Sequence, residues 1–463
     1  MRRVTLRVAC AQLRALTVFQ AREGLAQIQR AIQTAGREDV DLLVLPECSY
    51  PGYVLLDDHP YRRAIPSDHD ALQTIARAAR RAGCAVIVGI ARVGADRALR
   101  NEAVLLDRDG VELGSYAKTR LWNFDQRWFC SGSELPVFDT AFGRIGMMIC
   151  ADGRNPEIAR TLVAKGAWLI ADPTAWVGFG ASHAQIRNVQ ADYMLRVRAL
   201  ENGCWIAAAD KCGSELEAVH YAGASQIVRP DGGIVARAGA TEPQFIVADV
   251  RRTAATPYIA SLSGGERKAL RSLPARNGAV PPMPPRFWIG VYQNGRTRPA
   301  DPSAIRALAA QGVSCILRTS ASARAIAAGL RRIRGLRAAV IRASAMAAPE
   351  PARAAALRGA DLLVWVAPVD SLPVLDIART RAVENRVYVL VCARAESTTP
   401  ACVVHPDGSI VASALAGAPS GFVAAIDVIA ARRKEVVPLT QTFADRLPQA
   451  YRWFDGSKRA AVS

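Results

Sequence analysis

One cysteine stands where chemistry is easiest to place. In Phe142–Glu157, F-G-R-I-G-M-M-I-C-A-D-G-R-N-P-E, the apolar run Ile145–Ile149 has strand length, and a helical pattern starts at Glu157 after Gly153 and Pro156. Cys150 sits at the joint. A side chain on a strand-to-helix turn is pushed up beside helix N-terminal N–H groups, which favour a thiolate and a developing oxyanion. The same joint also suits a small buried apolar residue, as most free cysteines are. Glu47 closes D-V-D-L-L-V-L-P-E at the C-terminal edge of a buried strand, where α/β sheets gather ligands. It reads either as a loop carboxylate in water or as a buried general base. Lys118 follows a hairpin in a chain with only six lysines among its 59 basic residues. Arginine keeps its proton, whereas a compact ammonium can sit beside a thiolate and polarise a carbonyl; a solvated lysine is the ordinary alternative. Asp125 lies among Trp122, Phe124 and Trp128, which form either core or the wall of an apolar pocket.

The elements that must position these residues alternate as α/β units. Strand candidates are Leu6–Leu13, Leu42–Leu45 and Ala85–Ala91, separated by helical patterns over Arg22–Ala35 and Asp70–Ala82. Asn101–Asp107 and Glu112–Ala117 pair around the turn Arg108-Asp109-Gly110. Beyond Cys150, a helix over Pro156–Lys165 ends at Gly166, a suitable cap. Strand Ala167–Asp172, helix Ala184–Asn202 and strand Cys204–Asp210 follow. A hairpin turns on Pro230-Asp231-Gly232-Gly233, and Gln244–Val250 closes the unit.

At 463 residues the chain is long enough for two or three domains. Its formal charge of +18 invites a nucleic-acid reading. The arginines are dispersed and interleaved with acids, with no dense basic run carrying aromatics, so no nucleic-acid partner is expected. Ten cysteines without regular spacing and without a C-x-x-C imply a reducing compartment, and a cytoplasmic location is expected. Arg7, Gln12 and Arg14 interrupt any leader-like apolar run, and no run is long enough to span a membrane. No His/Cys/Asp cluster has metal-ligand spacing, so neither metal nor cofactor is expected.

Three separated blocks, L-V-L-P-E at Leu43–Glu47, Y-A-K at Tyr116–Lys118 and G-M-M-I-C-A-D-G-R-N-P-E at Gly146–Glu157, resemble the signature blocks of the nitrilase superfamily, the carbon–nitrogen hydrolases. R-A-L-E-N at Arg198–Asn202 and P-D-G-G at Pro230–Gly233 match as well, so the resemblance runs over residues 1–255. It implies an αββα four-layer sandwich and a Glu-Lys-Cys triad. Cys150 would be the nucleophile, Glu47 the general base, and Lys118 with the backbone N–H of Ala151 the oxyanion partners. Asp125 falls where the family often has a second glutamate, one methylene longer, so either the backbone moves in or a water bridges. Ala151-Asp152 replaces the Trp-Glu that true nitrilases tend to carry, which favours an amide or N-carbamoyl substrate over a nitrile. Arg154 matches an arginine that some relatives place near the pocket, where it could clamp a carboxylate; otherwise it bonds towards Asp152 or Glu157. Trp122, Trp128 and Trp176 are candidates for the pocket wall or for core.

Residues 256–285 read as a Pro-rich linker ending P-P-M-P-P. Residues 286–463 repeat the first part in degraded form: R-T-R-A-V-E-N-R-V-Y-V-L matches R-V-R-A-L-E-N-G-C-W-I-A, and H-P-D-G-S-I-V-A-S-A matches R-P-D-G-G-I-V-A-R-A. Arg342 is read at the nucleophile's place and Arg318-Thr319 at that of Pro46-Glu47, so this shorter αββα-like domain is expected to be inactive. It would pack as an intramolecular pseudo-dimer, with further homo-oligomerisation open. The expected function is hydrolysis of a small amide-type substrate. The alternatives are a nitrilase and a non-catalytic binding or regulatory member of the superfamily.

Overall fold

The computed structural model describes residues 5–56, 67–178, 186–252, 256–273, 286–295, 301–331, 333, 335–366 and 368–451. It divides into two compact units, Met1–Pro257 with Ala450–Ser463, and Tyr258–Gln449.

Among its described residues the first unit has fifteen strands in chain order: β1 (Thr5–Arg14), β2 (Leu42–Val44), β3 (Ala85–Val93), β4 (Leu99–Leu106), β5 (Glu112–Ala117), β6 (Val137–Thr140), β7 (Gly143–Met147), β8 (Leu169–Pro173), β9 (Val177–Gly178), β10 (Trp205–Ala209), β11 (Lys211–Glu215), β12 (Val219–Ala222), β13 (Gln226–Val228), β14 (Ile234–Arg237) and β15 (Gln244–Arg251). Its helices are α1 (Ala21–Arg37), α2 (Asp68–Ala82), α3 (Pro156–Ala164) and α4 (Leu195–Asn202). One sheet runs β5-β4-β3-β2-β1-β11-β12-β9, with β15 also on β1; the other runs β14-β13-β10-β8-β7-β6. β1, β2 and β3 lie across from β8 and β10, α1 and α2 cover the first sheet, and α3 and α4 cover the second. This is the αββα sandwich.

Local sequence explains the layers. β2 is buried on both faces, as a central parallel strand must be. α1 turns Leu25, Ile28 and Ile32 inward at helical spacing. α2 starts on Ser67, whose side chain accepts the Asp70 N–H, and stops on left-handed Gly83. Each fully buried Leu or Ile contributes roughly 1.5–3 kcal/mol. The helix expected over Ala184–Asn202 is shorter: a π-helical turn at Gln190–Met194 leads into α4, and Ala184 and Gln185 lie outside the described residues.

The second unit has β16 (Arg286–Gln293), β17 (Cys315–Arg318), β18 (Ala338–Arg342), β19 (Leu362–Val366), β20 (Tyr388–Cys392), β21 (Cys402–Val404), β22 (Ile410–Ser413) and β23 (Ser420–Asp427). Its helices include α5 (Gly264–Arg271), α6 (Pro302–Ala309), α7 (Ala323–Arg331), α8 (Pro349–Leu357) and α9 (Val374–Asn385). β16 pairs parallel with β17 and antiparallel with β23, as β1 pairs with β2 and β15. β18, β19 and β20 are parallel and then β21 and β22 turn antiparallel, as in β7-β8-β10-β13-β14. Side chains repeat too. Arg198 binds Glu201 at 2.7 Å and the Gly153 carbonyl at 2.9 Å; Arg381 binds Glu384 at 2.8 Å and the Met346 carbonyl at 3.0 Å. Arg160 reaches the Glu201 carbonyl and Arg353 the Glu384 carbonyl.

Three sequence expectations are corrected here. Arg342 is not at the nucleophile's place. Ala343 stands as far before Pro349 as Cys150 stands before Pro156, opens an equivalent 3-10 turn, and has φ 43° where Cys150 has φ 47°. Second, Gln12 and Gln293 each donate to two carbonyls of the loop before the last strand, which fixes the register of β1 against β16. Val8 then pairs with Leu42 and Ile289 with Cys315, so the place of Glu47 falls on Ser320 rather than Thr319. Third, the linker is not wholly extended. Ser263 and Glu266 form a reciprocal capping box and start α5 inside it, while its P-P-M-P-P end lies outside the described residues. Among the described residues no helix is long and apolar enough to cross a membrane.

Candidate active site

Cys150 follows β7 and opens the 3-10 turn Cys150–Arg154 in a left-handed conformation, φ 47°, which costs a non-glycine residue about 1–2 kcal/mol. The joint is held from behind. The Cys150 N–H donates to Asp172 Oδ1 at 2.9 Å, and its carbonyl accepts from Gln190 Nε2 at 2.6 Å. Cys150 Sγ lies 3.4 Å from the Ala175 carbonyl, within reach of an S–H bond. Asp152 fastens the turn to the lysine strand. Its carboxylate accepts from Tyr116 Oη (2.7 Å), Thr119 Oγ1 (2.9 Å) and the N–H groups of Arg120 and Ile149 (both 2.9 Å).

Glu47 lies just past β2, with no exposure, and its N–H donates to the Thr174 carbonyl at 3.2 Å. β3 passes so close behind it that a Cβ on Gly89 would overlap the backbone of Pro46 and Glu47, so only glycine fits there. Lys118 directly follows β5 and is also buried. Its Nζ donates to Glu47 Oε1 and to Asp125 Oδ2, each at 2.6 Å. Asn101 Nδ2, from β4, donates to the same Glu47 oxygen at 2.6 Å. Glu47, Lys118 and Asp125 are thus neighbours, and Asp125 meets the lysine directly, without a bridging water.

The electrostatics suit a resting thiol. Burial raises the Glu47 carboxyl above its usual range, against the pull of Lys118. Burial, then the Glu47 charge, pushes the Cys150 thiol well up. Burial works against the Lys118 charge, but Asp125 and Glu47 outweigh it and the ammonium is held well above its ordinary value. The lysine is therefore charged, and the thiol keeps its proton unless a base takes it.

The other candidates separate. Arg154 Nε donates to Gln190 Oε1 at 3.1 Å, and its guanidinium lies 4.4 Å from the Trp122 ring centroid. Trp122 is thus a stacking platform, and its N–H also donates to Asp125 Oδ2 at 3.1 Å. Trp128 packs on Phe124 and donates to the Leu56 carbonyl. Trp176 has no exposure and belongs to the packed interior, its N–H held by Asp210 at 2.8 Å. Ala151 lies in the 3-10 turn that Cys150 opens. Sequence reasoning missed Asn101, Asp152, Asp172, Gln190 and Asp210. Only D-P-T-A-W, at the C-terminal edge of β8, offered a signal, because that edge faces the same crevice as Glu47.

The carbon–nitrogen hydrolase family matches residues 7–260, and the chain belongs to that family. A Pseudomonas protegens protein named "Hydrolase in pqqF 5'region" is 36% identical over 222 residues, covering 47% of this chain and 75% of that one. An (R)-stereoselective amidase of a Pseudomonas species is 30% identical, covering 48% and 77%. The omega-amidase NIT2 of Bos taurus is 27% identical, covering 53% and 88%. Among solved structures, the NitN amidase from Nesterenkonia sp. AN1 is 27% identical and covers 53% of this chain and 92% of its own, with a TM-score of 0.48. The chain is a carbon–nitrogen hydrolase of the amidase-like kind.

Proposed function

We propose that this enzyme hydrolyses a linear amide or N-carbamoyl compound through a thioester on Cys150. The observation that carries the reading is the Lys118 ammonium, buried and held at 2.6 Å by Glu47 on one side and by Asp125 on the other. Glu47 takes the Cys150 proton as Sγ bonds to the substrate carbonyl carbon. Lys118 and the Ala151 N–H stabilise the tetrahedral oxyanion. Glu47 returns the proton to the leaving nitrogen, the C–N bond breaks, and ammonia or an amine departs. Glu47 then deprotonates water, which attacks the thioester and releases the acid and the thiol.

An amide is favoured over a nitrile because Ala151-Asp152 follows the cysteine; relatives carry both amidase and nitrilase names. The Arg154 guanidinium, 4.4 Å from the Trp122 ring centroid, suits a substrate carboxylate. The second unit is proposed to be catalytically silent: Ala343 and Ser320 stand at the places of Cys150 and Glu47, and no described residue replaces Lys118.

Ammonia release from amides, N-carbamoyl amino acids and nitriles tests this. Cys150→Ala should lose at least about 10³-fold in kcat. Glu47→Gln should accumulate an acyl adduct visible by intact mass. Equal rates for wild type and Cys150→Ala would sink the reading, and turnover of nitriles alone would replace it with a nitrilase.

A further inference from the structure

The second unit contains a slot the first unit does not. In the first unit β6 pairs antiparallel with β7, Asp139 opposite Arg144. Two basic groups hold that strand: Arg144 Nε donates to Asp139 Oδ1 at 3.0 Å, and Lys165 Nζ donates to the Leu135 carbonyl at 2.6 Å. The counterpart of Arg144 is Arg337, since each lies against the glycine that follows the next helix, Gly166 or Gly359. The counterpart of Lys165 is Arg358, each being the residue that caps its helix, α3 or α8.

The strand itself has no counterpart among the described residues. β18 begins its sheet, and among the described residues no strand pairs with its outer edge. Beside that edge is a cavity of about 460 Å³, lined by Ala339, Ile341, Arg342, Ala348, Ala355 and Arg358 and also by Tyr258–Ser261. No carboxylate among the described residues pairs with Arg337, Arg342 or Arg358. Glu266 also lines the cavity, but its Oε2 is taken by the Ser263 N–H and hydroxyl. An unpaired edge offers N–H and C=O groups at strand spacing and is a template for an incoming chain.

We propose that this slot docks an extended acidic peptide strand of a partner protein. The peptide adds antiparallel to β18 as β6 adds to β7, with carboxylates against Arg342 and Arg358. Small side chains on the floor leave room for backbone to approach. Two other occupants fit less well. Residues 274–285 of this chain carry no Asp or Glu, and five prolines there cannot donate to a ladder. A second copy carries the same formal charge of +18.

The test uses the full-length protein and a fluorescent peptide of residues 133–141, the sequence that fills the first unit's slot. Anisotropy should show saturable binding that weakens with salt. Arg342→Glu with Arg358→Glu should weaken it at least tenfold, as should amide replacement of the peptide's two acids, with the protein's melting temperature unchanged. Amide hydrogens of Ala339–Arg342 should exchange more slowly when peptide is added. Absence of saturable binding, binding indifferent to the charge reversals, or protection elsewhere would overturn the proposal. Self-association abolished by the reversals would give the edge to a second copy and overturn it equally.

Discussion

Asp125 Oδ2 and Lys118 Nζ meet at 2.6 Å although the acid has one methylene fewer than the glutamate usual at this place. The 3-10 turn Asn123–Arg127 carries the carboxylate inward, and the Trp122 N–H orients it at 3.1 Å. Asp125→Asn should therefore lower kcat by about 10²-fold, the scale of losing one charge-stabilising group, with little change in KM. Asp125→Glu should also lose activity, because the extra methylene has no room at this separation. A glutamate variant as active as wild type would show that the turn, not the reach of the side chain, is dispensable.

The pH profile follows from Glu47. Its carboxyl is raised by burial and further by Asp125, and only the ionised form can take the Cys150 proton. Activity is lost as pH falls through that raised value. The acid limb of kcat/KM should thus lie above the ordinary glutamate pKa of about 4.3. Removing the nearby negative charge in Asp125→Asn should move the limb down. A limb at the ordinary value in wild type would assign it to another group.

Asp210 gives a stability prediction. It is fully buried, its carboxyl is raised to about 8 chiefly by desolvation, and one of its oxygens has no partner. The folded state keeps a proton that the unfolded chain releases near pH 4, so this contribution to stability is complete below that pH and is lost as pH rises towards 8. Asp210→Asn keeps the acceptor for the Trp176 N–H and cannot ionise. Its melting temperature should exceed that of wild type at pH 8, with the gap closing towards pH 4. A gap independent of pH in thermal denaturation would mean that packing, not ionisation, is responsible.

Sequence reading worked where position along a strand decides geometry. Glu47 and Lys118 follow strands of the first sheet and Cys150 a strand of the second, and each ends an apolar or hairpin run that the sequence marks. Asp125 was legible because its distance from Lys118 is short in sequence. Asn101 was not, since it enters from a separate strand whose run carries no mark that its polar residue faces inward; Asp172 left only the D-P-T-A-W at the end of β8 as a sign. Arg342 is one residue off because matching G-L-R-A-A-V-I-R to G-R-I-G-M-M-I-C glycine to glycine sets it seven residues before Pro349, whereas Cys150 stands six before Pro156.

Ala343 repeats the left-handed corner of Cys150 with a methyl group in place of a thiol. The same twist occurs where nothing reacts. It follows that the corner is a joinery requirement, set by turning a parallel strand into a proline-headed helix, and that the unusual backbone at Cys150 is no signature of reactivity. A thiol placed there inherits its outlook from carpentry, and what distinguishes the two corners is the company each keeps.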